Sequence, residues 1–218
     1  TKDKTAVLRV FAKMFYNHCG FYGDDLKIAK LERFIEKQGK TQQFREAFEK
    51  VNGAPWTETR DSFAFFEDDI VSVLQSTLGM SEQAARNWFN GEETNELSIA
   101  QLVADIQEYV DGKGKDFRLL FMVDEVGQYI GDDGDLMINL QSLVEEIGIR
   151  CHGKVWVMVT SQEAIDSVVH ITGNDFSKIQ GRFNTRLSLS SSSVDEVIKK
   201  RVLAKTDAAD QLLRMVYD

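Results

Sequence analysis

Several features that would announce a function class are scarce in this sequence. Only two cysteines, Cys19 and Cys151, occur in 218 residues. Thiols so few and so far apart build no disulfide framework and point to a reducing, cytoplasmic setting. Basic charge is in deficit, with 26 Lys and Arg against 35 Asp and Glu, a net charge of −9 and a pI near 4.9. A protein of that sign does not grip nucleic acid over its whole surface, which leaves at most a local basic face. No apolar run approaches the length of a membrane span, and no secretory signal opens the chain. His18-Cys19 and Cys151-His152 set their side chains next to each other, unlike the two to four residues that separate zinc ligands. Aromatics interleaved with basic residues are also missing, so Trp56, Trp88 and Trp156 are expected in the core and not stacked on bases.

What is present describes an ordinary globular chain. Hydrophobic residues make up 43% and charged residues 28%, and the length allows one good core, or a domain with an appendage. The opening Thr1-Lys2-Asp3 without Met and the helical pattern of residues 211–217 read as the ends of a piece cut from something longer.

Residues from about 5 to 110 read as helix after helix. Ala6, Val7, Val10, Phe11, Met14 and Phe15 recur at helical spacing, stopping near Asn17-His18-Cys19-Gly20. Asp24 or Asp25 caps a second helix carrying Leu26, Ile28, Leu31, Phe34 and Ile35, ended by Gly39. A third holds Phe44, Ala47, Phe48 and Val51, closed by Asn52-Gly53, before the lone proline at Pro55. Further helical stretches cover 63–78 and 81–89. Ser98-Ile99-Ala100-Gln101 is a capping box that starts another. The polar run Asp111-Gly112-Lys113-Gly114-Lys115-Asp116 then ends the helical half.

The second half alternates strand and helix. Leu119-Leu120-Phe121-Met122-Val123 is too short for an independent helix and suits a strand buried on both faces. A helix with Leu136, Ile138, Leu140, Leu143, Val144 and Ile147 follows the acidic turn at residues 131–135. Val155-Trp156-Val157-Met158-Val159 is a second buried strand. A helix over 164–169, a short basic helix over 176–183, an edge strand over 186–190 and a capped helix from Ser193 through Ala204 complete the pattern. This rhythm predicts an α/β fold with a parallel sheet of about three strands and flanking helices, preceded by a long all-helical segment.

The chemistry sits at strand ends. The first strand stops at Asp124-Glu125, and hydrophobic residues followed by Asp-Glu form the Walker B pattern of P-loop ATPases. There the Asp holds Mg²⁺ directly or through water, and the Glu polarises the attacking water. The plain alternative is a core strand with a solvated acidic turn. Thr160-Ser161 ends the second strand; if the strands are neighbours, one of these hydroxyls stands near the carboxylates, where a sensor of the ATP γ-phosphate belongs. Thr160 with Glu163 is equally a helix cap. Arg182 and Arg186 follow, either as a finger reaching into a neighbouring subunit's ATP site, with Arg182 preferred, or as surface charges balancing an acidic protein.

The phosphate cradle is missing. Gly-x-x-x-x-Gly-Lys-Ser/Thr occurs nowhere. Gly39-Lys40-Thr41 carries its last three residues, but Phe34 stands where the first Gly belongs and a helix, not a strand, precedes it.

The segments Leu120-Phe121-Met122-Val123-Asp124-Glu125-Val126-Gly127-Gln128-Tyr129-Ile130-Gly131-Asp132-Asp133, Val159-Thr160-Ser161-Gln162-Glu163 and Asn174 to Leu189, with Gly20-Phe21-Tyr22-Gly23-Asp24-Asp25 and the Leu31-Glu32 helix, resemble the large P-loop ATPase of BREX (bacteriophage exclusion) systems, BrxC/PglY. The resemblance implies a AAA+-like core inside a longer protein of anti-phage defence, binding ATP and Mg²⁺. It implies self-association through the ATPase module and work beside a DNA methyltransferase and a PglZ-type partner, with DNA touched only indirectly or through other regions. Residues 1–116 would be a helical insertion between the two Walker motifs, 117–192 the Walker B, sensor and arginine part, and 193–218 the start of a helical lid. The P-loop would then precede Thr1, this piece alone would not turn over ATP, and its partial sheet would expose strand edges and a bare apolar face. A nucleotide-gated assembly scaffold with little or no hydrolysis is the competing function.

Overall fold

The structure, a computed structural model, describes residues 5–90, 97–130, 133–160, 183, 185, 187, 198–202, 205–207, 209 and 211. They belong to two units, Thr1–Arg182 and Phe183–Asp218. In the second, the described helix is a π-helical turn, Ile198–Val202. The expected helices over 164–169 and 176–183, the edge strand over 186–190 and the cap at Ser193 lie outside the described residues except at Phe183 and Leu187, which stand in no helix or strand.

The first unit is helix-rich with a small parallel sheet, an α/β arrangement. Helix α1, Ala6–His18, buries Val7, Leu8, Phe11, Ala12, Phe15 and Tyr16 along one stripe. Helix α2, Leu26–Lys37, starts at Asp25, whose carboxylate accepts from the Ile28 N–H at 3.0 Å. Helix α3, Thr41–Asn52, ends on left-handed Gly53, φ 88°. The stretch expected as helix over 63–78 divides. A 3₁₀ turn, Arg60–Phe65, follows the short α4, Trp56–Thr59, and Phe66 at φ −121°, ψ 24° breaks the path before α5, Glu67–Leu78. Glu67, Asp68 and Asp69 then favour a fresh start, because carboxylates suit the positive end of a helix. Helix α6, Glu82–Asn90, completes a core in which Trp56 meets Phe44 and Phe48 edge-on, at 5.3 and 5.0 Å between centroids.

The indole N–H of Trp56 donates to buried Glu32 at 2.7 Å. Glu32 also accepts from the Tyr22 N–H at 2.6 Å and from Arg60 at 2.9 Å, so this buried carboxylate is fully matched.

Helix α7, Ile99–Asp111, begins at Ser98, whose hydroxyl accepts from the Gln101 N–H at 3.1 Å. Strand β1, Leu119–Val123, leads through α8, Val126–Ile130, and α9, Gly134–Arg150, to β2, Val155–Val159. Helix α9 packs on α7 and α1, and Phe11 of α1 meets Phe121 of β1 at 5.2 Å. Lys154, just before β2, binds Asp111 at the C-terminus of α7 at 2.9 Å, which suits a cation to the negative end of that helix. The helical half and the sheet therefore share a core.

Burial pushes the thiols of Cys19 and Cys151 up to about 11, above the ordinary 9.0. The folded chain holds these protons more tightly than the unfolded chain, so the unfolded state ionises first as pH rises. Stability is therefore expected to fall between pH 9 and 11, with Cys151→Ala removing part of the slope. A denaturation midpoint that stays level across this window contradicts the expectation.

Candidate functional site

Strands β1 and β2 pair in parallel, from Leu119 against Val155 to Val123 against Val159. Equal register ends both strands at the same level. Asp124-Glu125 and Thr160 therefore leave the sheet side by side at its C-terminal edge, where parallel sheets collect functional groups. The ladder continues one step further: the Thr160 N–H donates to the Val123 carbonyl and the Val126 N–H to the Thr160 carbonyl, each at 3.0 Å.

The Thr160 side chain joins the two carboxylate residues. Its Oγ1 donates to Oδ1 of Asp124 and accepts from the Glu125 N–H at 3.0 Å. Glu125 has φ 53°, a left-handed conformation that costs a non-glycine residue about 1–3 kcal/mol. This turn reverses the chain from β1 into α8 and leaves Asp124, Glu125 and Thr160 all exposed. The expectation that a hydroxyl at the end of the second strand stands beside the carboxylates is met at Thr160. Ser161, Arg182 and Arg186 lie outside the described residues.

Two burial expectations are corrected. Strand β1 is buried on one face only: Leu119 and Phe121 are 7% and 5% exposed, while Leu120 and Met122 are 48% and 64% exposed. Trp156 is not a core residue but stands 62% exposed on β2 beside Met158, with its indole N–H donating to the Gly153 carbonyl at 3.0 Å. The reason is the period of a strand. Alternate residues face opposite sides, and the Phe121 side is the one that meets α1.

Gly39-Lys40-Thr41 joins α2 to α3, helix to helix, so it has none of the strand–loop–helix context of a phosphate cradle. A cavity of about 130 Å³ in the helical half is lined by Glu32, Thr41, Phe44 and Trp56 and includes none of the strand-edge residues. Among the described residues, no group of three or more His, Cys, Asp and Glu is placed to hold a metal. Mg²⁺ in a nucleotide site needs no such group: it keeps several waters and takes one or two carboxylates with phosphate oxygens. Asp124 beside Glu125 fits that donor set. The left-handed turn and the Thr160 bridge were not read from the sequence. The one signal for the bridge was that polar residues, Asp124-Glu125 and Thr160-Ser161, stand at the same place after the two hydrophobic strands.

No protein-family model matches the chain, and no solved structure does. Fold and site therefore define a class only: a helix-rich α/β chain with an acidic pair at a parallel strand edge.

Proposed function

We propose that this chain carries the Walker B half of a Mg²⁺-dependent, ATP-hydrolysing module, AAA+-like and of the BREX kind. The observation that carries the reading is the shared strand edge, where Asp124, Glu125 and Thr160 meet in one hydrogen-bonded cluster. In this reading Asp124 is the metal-side carboxylate, and Glu125 orients or deprotonates the attacking water. Mg²⁺ bound there supplies charge neutralisation to the transferring phosphoryl group. Thr160 or Ser161 would sense the phosphate, and Arg182 or Arg186 would act in a neighbouring subunit.

The exposed apolar face of Leu120, Met122, Trp156 and Met158 supports the same reading. A soluble surface seldom leaves such a patch bare, and further elements of an ATPase core would cover it. The P-loop would come from polypeptide before Thr1. The partners of such a module are ATP, further copies of itself, the methyltransferase and the PglZ-type protein, with DNA contacted through other regions.

The test is nucleotide turnover by the intact protein. Asp124→Asn is expected to abolish Mg²⁺-dependent ATP hydrolysis while leaving the helical half folded. Turnover unchanged in that variant overturns the assignment. ATP-dependent assembly without turnover in the unmodified protein favours the scaffold.

A further inference from the structure

We propose that Thr160 is a positioning residue, whose hydroxyl holds Asp124 and Glu125 in the geometry that receives a divalent cation. The proposal rests on the reading of Asp124 as the metal-side carboxylate. A hydroxyl has one proton to give and lone pairs to receive. At Thr160 the proton goes to Oδ1 of Asp124 and a lone pair takes the Glu125 N–H. The side chain thus spends its hydrogen bonds across the sheet on the carboxylate pair, an arrangement that neither a helix cap nor a sensor of phosphate requires.

Two consequences follow for the pair. Among the described residues only Oδ1 of Asp124 is engaged, so the bond fixes the carboxylate while its second oxygen remains for a cation. Glu125 keeps its left-handed φ of 53° although it lacks the freedom of glycine. The hydrogen bond from its N–H to the Thr160 hydroxyl holds that turn, together with the Val126 N–H on the Thr160 carbonyl. Removing the hydroxyl frees the Asp124 rotamer and releases the Glu125 amide, while the backbone bonds of Thr160 stay. Groups that orient a coordinating carboxylate are worth about 10–100-fold in metal affinity.

The experiment titrates Mn²⁺, a paramagnetic substitute for Mg²⁺, into the 218-residue chain and follows broadening of the backbone amide signals of residues 123–126 and 160. The unmodified chain and Thr160→Ser are expected to broaden at similar Mn²⁺ concentrations. Thr160→Val is expected to need about 10–100-fold more, with faster exchange of the Glu125 amide proton. Thr160→Ala replaces it if valine disturbs the remaining spectrum. Asp124→Asn is the control and should not broaden. Broadening lost in Asp124→Asn yet unchanged in Thr160→Val overturns the positioning role and leaves the metal reading intact. Broadening absent from the unmodified chain, or retained in Asp124→Asn, overturns the metal reading itself.

Discussion

Asp105→Ala is expected to destabilise the chain by about 3–5 kcal/mol. Asp105 is 3% exposed and joins three helices. It accepts from the Tyr16 hydroxyl of α1 at 2.8 Å, from Arg33 of α2 at 2.8 Å and from Gln101 of α7 at 2.9 Å. Removing the carboxylate strips Tyr16 of its acceptor and leaves a largely buried guanidinium with Glu108 alone. Breaking a buried pair from one side costs far more than the intact pair contributes, because the remaining charge is uncompensated.

The neighbouring Glu108 provides the contrast. Its carboxyl is held below the ordinary 4.5 by its hydrogen bond from Lys37 and by Arg33, but its side chain is 54% exposed. Water replaces those partners readily, so Glu108→Ala is expected to cost about 1 kcal/mol or less. Urea titrations of the two variants make the comparison. For a chain of this size the Asp105 loss corresponds to a fall in Tm on the order of 10 °C. Equal midpoints for the two variants would show that burial does not set the difference.

Glu125→Gln, in the intact protein, is expected to lower ATP turnover by about 10²–10⁴-fold with little change in ATP affinity. The two side chains have the same shape, and Gln meets the same backbone strain at φ 53° as Glu. The bond that anchors the turn uses the backbone N–H of residue 125, which the substitution keeps. What disappears is the negative charge that, in the proposed role, orients and deprotonates water. Rapid-quench turnover beside equilibrium binding of ATP separates the effects. A fall in both, or in neither, removes Glu125 from the role of base.

Much of this was readable along the chain, because local physics controlled it. Ser98 caps α7 and Asp25 caps α2, since a short polar side chain satisfies amide groups two or three residues onward. Gly39 and Gly53 stand where helices stop, because both take positive φ. The apolar runs at 119–123 and 155–159 are strands. Phe63 and Leu78 were expected within a single helical stretch, since periodicity does not register one non-helical residue such as Phe66.

Burial was less readable. A run of five apolar residues looks the same whether one face or both faces of the strand are covered, and Met122 and Trp156 proved exposed. The packing of Phe11 against Phe121 spans most of the helical half, and no local pattern encodes a contact so distant in sequence.

The sequence alone determined the acidic pair at Asp124-Glu125, the hydrophobic strand that delivers it and the absence of a phosphate cradle in these residues. Only the tertiary structure decided that β1 and β2 are parallel neighbours in equal register, that Glu125 turns left-handed and that Thr160 binds both members of the pair. The division has a physical cause. Composition and periodicity arise from neighbours along the chain, whereas register, turn geometry and a hydrogen bond between residues 36 positions apart depend on how distant segments meet.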